Sequence, residues 1–403
     1  MSKKDLALSE NTLIWLLAAV QFINVIDFMM IMPLGPDLAK GLGMNSSDIG
    51  SITAAYTFSA ATAAILSARF IDRFRRKAVL TFTLLGLSIG TLAAAFSQNT
   101  EQLIACRVIA GGFAGPATSI AMSLLIDHIP VERRGRAMGK VMGAFSVAAV
   151  LGVPTGMQLS IWFSWHAPFL LIGSIGLIVS LLISLILPKG ERPATKEQAV
   201  SLPTLLAHPG VMISYLMTAG AMLAGFLLIP NFSSYFQFNL GFPREDIGSL
   251  YLVGGIASFF SMRIAGQMVD RFGSTPIAWA AWLSSASIVF VAFILQLQVP
   301  LWLVFIIFMS ANATRNVAIQ ALASQVPPAA LRGAYMSLQS ATRHISTGLA
   351  ASIASMVLSS GPDARLQHFD SLAWLTIFIS ILVPIAMHLT QHALSQRKSH
   401  PLQ

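Results

Sequence analysis

Four charged side chains lie deep inside long apolar stretches of this 403-residue sequence, namely Asp27, Arg107, Arg315 and Arg343. An ionised group in an apolar medium is costly unless it is paired or hydrated, so each of the four indicates a function. Asp27 is the one carboxylate among them and could carry a proton, whereas a guanidinium keeps its charge and can bind an anion. These residue types predict proton transfer, anion recognition or both.

Asp27 and Arg107 are predicted to pair and to carry the proton step. If each apolar stretch is a helix across a bilayer, both residues lie about six or seven positions from the outer ends of their helices, roughly 10 Å below the outer surface. Gln21 and Asn24 precede Asp27 at three-residue spacing and are predicted to line the same cavity. The alternative is a static buried pair that only holds two helices together.

Arg315 and Arg343 also lie at matched depths, each about 15 residues from the outer end of its stretch. Like charges at one depth either diverge or have an anion between them. Asn312 and Asn316 are assigned to the face of Arg315, and Gln339 lies one turn before Arg343. These residues are predicted to line a cavity for an anionic or strongly hydrogen-bonding substrate. The alternative is that the arginines snorkel to carbonyl groups or to the cytoplasmic interface.

The stretches that carry these residues are predicted to be membrane helices. The sequence is 55% hydrophobic and 10% charged, against roughly 25% charged in a soluble domain. The basic residues behind the net charge of +9 cluster between apolar stretches, which indicates membrane topology and not nucleic-acid binding. The single Cys106 excludes internal disulfides and cysteine metal sites. The first apolar run is longer than a signal-peptide core and is expected to be retained.

Twelve stretches are long enough for a helix to cross a bilayer, which takes about 20 residues. The predicted fold class is therefore an all-α integral membrane protein. We name the stretches span 1 to span 12, with predicted bounds of 12–34, 47–70, 77–97, 101–127, 134–160, 166–188, 208–234, 246–268, 275–297, 299–324, 331–358 and 371–392.

The distribution of Lys and Arg predicts the orientation. With the N-terminus in the cytoplasm, 19 of the 25 basic residues fall on the cytoplasmic side and three on the outer side, the other three lying within spans. Cytoplasmic loops carry the excess of basic residues. Both termini are therefore predicted to be cytoplasmic, in a cell inner (cytoplasmic) membrane.

The sequence also repeats at an offset of 198 residues without a gap. Three sets of residues recur: Asp72 as Asp270, DIGS at 48–51 as DIGS at 246–249, and Arg134-Gly135 as Arg332-Gly333. The repeat predicts two six-span halves of one orientation, 1–188 and 208–403, joined by a cytoplasmic linker at 189–207. Parallel repeats of this kind are a known transporter plan with a substrate site between the halves.

These motifs resemble the major facilitator superfamily over essentially the whole chain. Its signature after span 2 is a Gly, three residues, Asp-Arg, one variable residue and Gly-Arg-Lys. The second copy here, GQMVDRFGS, contains Gly266, Asp270, Arg271 and Gly273. The first copy, ARFIDRFRRK, keeps Asp72, Arg73, Arg76 and Lys77 but has Ala68 and Arg75 where glycine is usual.

Three further motifs resemble those of drug:proton antiporters and sugar-efflux exporters. They are VIDFMMIMPLGPDL in span 1, RVIAGGFAGP in span 4 and GVPTG in span 5, the last with Gly152, Pro154 and Gly156 as a helix-packing motif. The resemblance implies that spans 1, 4, 7 and 10 line a central cavity and that spans 3, 6, 9 and 12 face lipid.

The resemblance also implies a cytoplasmic gate. When the carrier opens outward, the carboxylate of Asp72 would accept hydrogen bonds from backbone N–H groups at the start of span 11. The carboxylate of Asp270 would accept hydrogen bonds from those at the start of span 5. The alternative for the basic residues is that they only fix topology. The predicted gate residues are Asp72, Arg73, Arg76, Arg134, Gly266, Asp270, Arg271 and Arg332.

The predicted function is secondary active transport, with export of a small molecule in exchange for protons by alternating access. The alternatives are a proton-coupled importer of an organic anion and a lipid-moving member of the same fold; short loops disfavour a receptor or an enzyme. The sequence has no GxxxxGK[ST] phosphate loop and no metal-ligand spacing, so neither a cofactor nor a metal is expected. The expected partners are a small-molecule substrate, protons and the lipid bilayer, without nucleic acid, for a monomeric protein.

Overall fold

The structure, a computed structural model, describes residues 9–67, 74–188, 210–326 and 332–399, which are almost entirely helical. Eleven helices in these ranges are long and apolar enough to cross a membrane. A further helix, Arg332–Val357, is equally long but carries Arg343 and His344 in its middle, and it corresponds to span 11. The predicted all-α fold with twelve spans is confirmed.

The helices follow the predicted spans, with shifts of a few residues at most ends. A two-stranded antiparallel hairpin, Ser359–Ser360 with Leu366–Gln367, follows span 11 and was not predicted. In chain order the helices are Glu10–Met29, Gly35–Leu42, Ile49–Ser67, Arg76–Ala94, Thr100–His128, Val131–Val147, Val153–Trp162, His166–Ile186, Val211–Leu228, Phe232–Ser234, Arg244–Phe272, Ser274–Val289, Leu301–Ala323, Arg332–Val357 and Phe369–Ser399.

Spans 1 and 7 are interrupted near their C-terminal ends, which the sequence did not predict. The helix of span 1 ends at Met29, and a second helix begins at Gly35 after Pro33. The helix of span 7 ends at Leu228, and the chain continues through Pro230 in a 3₁₀ turn and then a π-helical turn. Proline lacks the N–H group that continues a helix, which accounts for both breaks.

Contacts between residues divide the chain into two compact units. Unit 1 consists of Met1–Met44 and Ser51–Glu197, and unit 2 of Asn45–Gly50 and Gln198–Gln403. The predicted linker 189–207 lies outside the described residues. The short segment Asn45–Gly50 thus groups with unit 2, although it precedes span 2 in the sequence.

The segment Asn45–Gly50 is held in unit 2 by serine hydrogen bonds. The Ser355 hydroxyl donates to the main-chain oxygen of Ser47 over 2.8 Å, and the Ser47 N–H donates to the Ser360 hydroxyl over 3.3 Å. Gly50 is needed here, because an added Cβ would lie 2.2 Å from the carbonyl oxygen of Ala351. The segment therefore packs closely on the C-terminal end of span 11.

Apolar side chains are exposed on the spans that the resemblance assigns to lipid. Exposed apolar surface of this kind is stable where hydrocarbon replaces water. The exposed residues include Phe82 and Ile89 in span 3, Leu181 and Leu185 in span 6, Leu283 in span 9, and Phe378 and Leu382 in span 12.

Unit 2 has a buried core to which all six of its spans contribute. Tyr215 and Tyr335 stack there, with ring centroids 5.1 Å apart, among apolar neighbours such as Met217, Ile319 and Leu322. This core fixes span 7 against spans 10 and 11, which carry the arginines predicted to line a cavity.

Candidate functional site

Asp27 and Arg107 form a buried ion pair inside unit 1. The Nη1 atom of Arg107 lies 2.8 Å from Oδ1 of Asp27, and the two side chains are 1% and 0% exposed. The Nη2 atom of Arg107 also donates to the main-chain oxygen of Asp27 over 3.0 Å. The structure thus brings together the two residues that matched depth predicted to pair.

Thr91 joins the pair from span 3. Its hydroxyl donates to Oδ1 of Asp27 over 2.7 Å and is fully buried. Thr91 could not be singled out from the sequence, because threonine is common in membrane helices and span 3 is assigned to the lipid face. Asp27 is therefore held by side chains of two other spans.

Tyr56 of span 2 lies against the other face of the arginine. The guanidinium carbon of Arg107 is 4.2 Å from the centre of the Tyr56 ring, a cation–π contact. Two glycines of the motif RVIAGGFAGP make this contact possible. An added Cβ at Gly111 or Gly115 would lie 2.2 Å from the carbonyl oxygens of Tyr56 and Ala60, respectively. Small residues let membrane helices approach closely, and here they bring span 2 up to Arg107.

Three buried acceptor atoms follow one another along span 1. Oδ2 of Asp27, Oδ1 of Asn24 and Oε1 of Gln21 have no hydrogen-bond donor in the described part of the chain. The amide of Asn24 is oriented by its Nδ2 atom, which donates to the carbonyl of Val20 over 3.0 Å. Gln21 and Asp27 are six positions apart, so the three acceptors extend over about 9 Å of helix.

The GVPTG motif of span 5 packs against span 1 on either side of Asp27. An added Cβ at Gly152 would lie 2.5 Å from Cδ1 of Ile26, and one at Gly156 would lie 2.9 Å from Sδ of Met30. Pro154 stands at the start of the helix Val153–Trp162, directly after a π-helical turn. Proline is tolerated at a helix start because its missing N–H has no intrahelical partner there.

Arg315 is the second buried guanidinium, in unit 2, and it is 3% exposed. Its Nη2 atom donates to the carbonyl of Ala221 over 3.2 Å and to Oδ1 of Asn312. Its Nε atom is buried and has no acceptor in the described residues. An added Cβ at Gly225 would lie 3.9 Å from Nη2 of Arg315, so span 7 places no side chain over the guanidinium at that position.

The other residues assigned to this cavity have different surroundings. Gln339 is buried and donates from Nε2 to the hydroxyl of Thr218 over 3.3 Å. Asn316 is exposed and Asn312 is buried, although positions four apart on a helix point only about 40° apart. Arg343 is half-buried. The structure therefore joins Arg315 and Asn312 directly and leaves Asn316 outside their hydrogen-bonded group.

One helical turn before Gln339 in the sequence of span 11, a second polar contact joins spans 7 and 11. The hydroxyls of Ser214 and Tyr335 are 2.8 Å apart, and the Tyr215 hydroxyl donates to the main-chain oxygen of Tyr335. The pairs Ser214–Tyr335 and Thr218–Gln339 repeat at four-residue spacing on both helices. Sequence reasoning missed Ser214, Tyr215 and Tyr335, which carry no charge.

The predicted gate residues are described only in part. Asp270 and Arg271 are exposed at the end of the helix Arg244–Phe272, and Gly273 ends it with a φ of +88° that favours glycine. In the first copy of the motif, Arg75 has an extended backbone with a φ of −65°, so the two turns differ. Asp72 and Arg73 lie outside the described residues, as do the side chains of Arg134 and Arg332.

Two other predicted gate residues, Arg76 and Gly266, lie in the described ranges. Arg76 is partly buried at the start of its helix, and an added Cβ at Gly266 would have no neighbour within 4 Å. Lys77 donates to the main-chain oxygen of Leu187 at the end of span 6. In the described ranges, no cluster of three or more His, Cys, Asp or Glu residues could hold a metal ion.

The sequence matches the family profile of the Major Facilitator Superfamily over residues 17–351. Among solved structures, the D-xylose-proton symporter superposes with a TM-score of 0.75 at 16% identity, over 93% of this chain and 96% of that one. A bacterial homologue of the human lysosomal transporter Spinster, in an inward-facing and occupied conformation, superposes with a TM-score of 0.73 at 15% identity, over 95% and 96% of the two chains. These likenesses establish the fold.

Curated relatives include proteins of drug resistance and of organic-acid transport. The chain is 26% identical over 262 residues to the chloramphenicol resistance protein of Streptomyces lividans, covering 64% of this chain and 67% of that one. It is 26% identical over 275 residues to the class H tetracycline resistance protein of Pasteurella multocida, covering 65% and 68%. It is 32% identical over 186 residues to the 4-hydroxybenzoate transporter PcaK of Acinetobacter baylyi, covering 44% and 40%.

Proposed function

Because this chain belongs to the Major Facilitator Superfamily and is a multi-pass membrane transporter, we propose that it exports a small molecule in exchange for protons. The observation that carries the proposal is the buried Asp27–Arg107 pair. It contains the only carboxylate in the interior of any span. Similarity to the chloramphenicol and tetracycline resistance proteins supports the outward direction of transport.

The pair suits a carboxylate that gains and loses one proton per cycle. In the charged state, Oδ1 of Asp27 accepts from Arg107 and Thr91, while Oδ2 has no donor among the described residues. A proton arriving at Oδ2 converts the carboxylate to a neutral acid and removes the attraction to Arg107. Movement of the two units that exposes Asp27 to the other side then releases the proton. An intramembrane carboxylate of this kind is typical of proton relays in transporters.

We further infer the topology and setting of the protein. The excess of Lys and Arg on one side of the spans supports a cytoplasmic location for both termini, in a cell inner membrane. The transporter is proposed to act as a monomer whose partners are its substrate, protons and lipid, without nucleic acid. Asp72 and Asp270 are proposed to close the cytoplasmic side, each through a carboxylate at a helix start.

A second candidate function is proton-coupled import of an organic anion. Two observations favour it: the buried Arg315 in unit 2, and the 32% identity to a 4-hydroxybenzoate transporter over 186 residues. In this alternative the substrate and the proton move in the same direction, whereas in export they move in opposite directions.

Transport into proteoliposomes under an imposed pH gradient distinguishes the two functions. Chloramphenicol, tetracycline and 4-hydroxybenzoate are the first probes. Export in exchange for protons predicts accumulation of a probe inside vesicles whose lumen is acidic, and import with protons predicts accumulation when the outside is acidic. Transport that is unchanged after a protonophore collapses the gradient would contradict proton coupling in either direction.

A further inference from the structure

We propose that Arg315 is the recognition site for a carboxylate group on the transported molecule. This inference rests on the proposed transport function and adds the charge class of the substrate. It concerns a group of residues within unit 2, namely Arg315, Asn312, Ala221 and Gly225, and does not involve the proton-carrying pair of unit 1.

The charge of Arg315 has no anionic partner in the spans of unit 2. From residue 208 onward, the sequence contains five acidic residues, and all of them lie in loops or at span ends. They are Glu245, Asp246, Asp270, Asp363 and Asp370. The two acceptors that contact the guanidinium, the Ala221 carbonyl and the Asn312 amide oxygen, are both neutral. A buried cation without a counter-charge is costly, so an anion that reaches Arg315 is bound favourably.

Unit 1 provides the comparison. Arg107 and Arg315 are buried to nearly the same extent, 1% and 3% exposed. Arg107 is neutralised by the carboxylate of Asp27 and covered by the ring of Tyr56. Among the described residues, Arg315 has neither a carboxylate partner nor an aromatic ring over its guanidinium. The charge of Arg107 is balanced within the protein and that of Arg315 is not, and the difference indicates that the counter-charge of Arg315 comes from a ligand.

Arg315 has N–H donors that could bind such a ligand. Both protein acceptors contact Nη2, while Nε has no acceptor in the described residues. A guanidinium carries five N–H groups, and its planar fork matches the two oxygens of a carboxylate. Gly225 leaves room beside it, since an added Cβ would lie 3.5 Å from Oδ1 of Asn312 and 3.9 Å from Nη2 of Arg315.

Thermal unfolding of the purified protein in nanodiscs tests the proposal without a pH gradient. The probes are benzoate, phenylacetate, 4-hydroxybenzoate and hexanoate, each compared with its primary amide, which has nearly the same shape and no charge. At least one carboxylate should raise the unfolding temperature more than its amide. Arg315→Gln should weaken the apparent affinity for that carboxylate roughly ten- to hundredfold, and Arg315→Lys should weaken it less.

Two further variants keep the test decisive. Arg133→Gln removes an exposed arginine that pairs with Glu10 and should leave carboxylate binding unchanged. Gly225→Val keeps the charge of Arg315 but places methyl groups beside the guanidinium, so it should weaken carboxylate binding even if Arg315→Gln does not fold. The proposal is overturned if no carboxylate exceeds its amide, if the excess persists in Arg315→Gln, or, where Arg315→Gln does not fold, if the excess persists in Gly225→Val. Any of these results would leave proton-driven export untouched, since that depends on Asp27.

Discussion

Arg107 holds both the side chain and the main chain of Asp27. Its Nη1 atom lies 2.8 Å from Oδ1 of the carboxylate, and its Nη2 atom lies 3.0 Å from the carbonyl oxygen of the same residue. The second contact does not depend on the charge of the carboxylate. Protonation of Asp27 would therefore weaken the ion pair while the guanidinium stays within reach, so that the pair can form again when the proton leaves.

The first prediction is that Asp27→Asn abolishes transport driven by a pH gradient. Asparagine has nearly the shape of the protonated acid but cannot exchange a proton. Exchange of labelled for unlabelled substrate at equal pH should survive, because it requires binding and movement but no proton. Both rates are measured in the same proteoliposomes. Full pH-driven activity in the variant would end the assignment of Asp27 as proton carrier.

A purely structural pair predicts a different pattern. Removing one partner of a buried ion pair costs about 3–5 kcal/mol, because the other charge is left uncompensated. Arg107→Gln and Asp27→Asn would then each lower the yield of folded protein, and the double variant would recover it. Fluorescence-detected gel filtration of the three variants gives the folded fraction, which separates this outcome from a loss of coupling in folded protein.

The second prediction concerns the column of acceptors on span 1. Asn24→Leu removes the middle acceptor between Gln21 and Asp27 and should slow pH-driven transport several-fold more than substrate exchange. Asn231→Leu is the matched control. Like Asn24, Asn231 is buried and donates from Nδ2 to the carbonyl oxygen four residues earlier in the chain. Its Oδ1 also has no donor among the described residues. Asn231 differs in that it lies in unit 2. Equal effects of the two variants on pH-driven transport would contradict a role for the column.

The third prediction is that Gly111→Ala destabilises the protein by about 1–3 kcal/mol, the usual cost of overpacking. The added Cβ would lie 2.2 Å from the carbonyl oxygen of Tyr56 and would push spans 2 and 4 apart. Gly112→Ala is the control, since its Cβ would meet only the hydroxyl of Ser59 at 3.2 Å. Thermal unfolding of both variants measures the difference. A Gly111→Ala variant as stable as the Gly112→Ala control would disprove the close approach of the two helices.

The fourth prediction concerns the cytoplasmic side. Asp270 is exposed at the end of span 8, so Asp270→Asn should leave expression near the parent level. Turnover should fall, because one proposed closing contact is weakened, and the double variant with Asp72→Asn should be slower than either single variant. Initial rates of substrate exchange provide the measurement. Parent-like rates in the double variant would show that these carboxylates do not close the gate.

Much of the fold could be predicted because membrane burial imposes simple rules on a sequence. Apolar length predicted the twelve spans, and helix rise placed Asp27 and Arg107 at one depth. The breaks after Met29 and Leu228 could not be placed from hydropathy, since the residues beyond them are as apolar as those before.

The environment of the charged residues was harder to predict than their identity. Thr91 contributes a hydroxyl from a span whose other face is exposed to lipid, and nothing in its type distinguishes it from other threonines. Tyr56 reaches Arg107 only because Gly111 and Gly115 let two helices approach, which is a property of packing and not of either residue alone. Asn316 shows the converse, since a polar residue next to Arg315 turned out to be exposed.

The even number of spans in each half has a consequence for how the gene could be rearranged. Six crossings return a chain to the side from which it started, so the predicted topology assigns the N-terminus, the linker 189–207 and the C-terminus to one side of the membrane. Each half also carries its own basic residues next to its spans, among them Arg76 and Lys77 in the first and Arg263 and Arg271 in the second. A circularly permuted gene that encodes 208–403 ahead of 1–188 would thus specify the same insertion topology, with new ends placed where the natural linker stands.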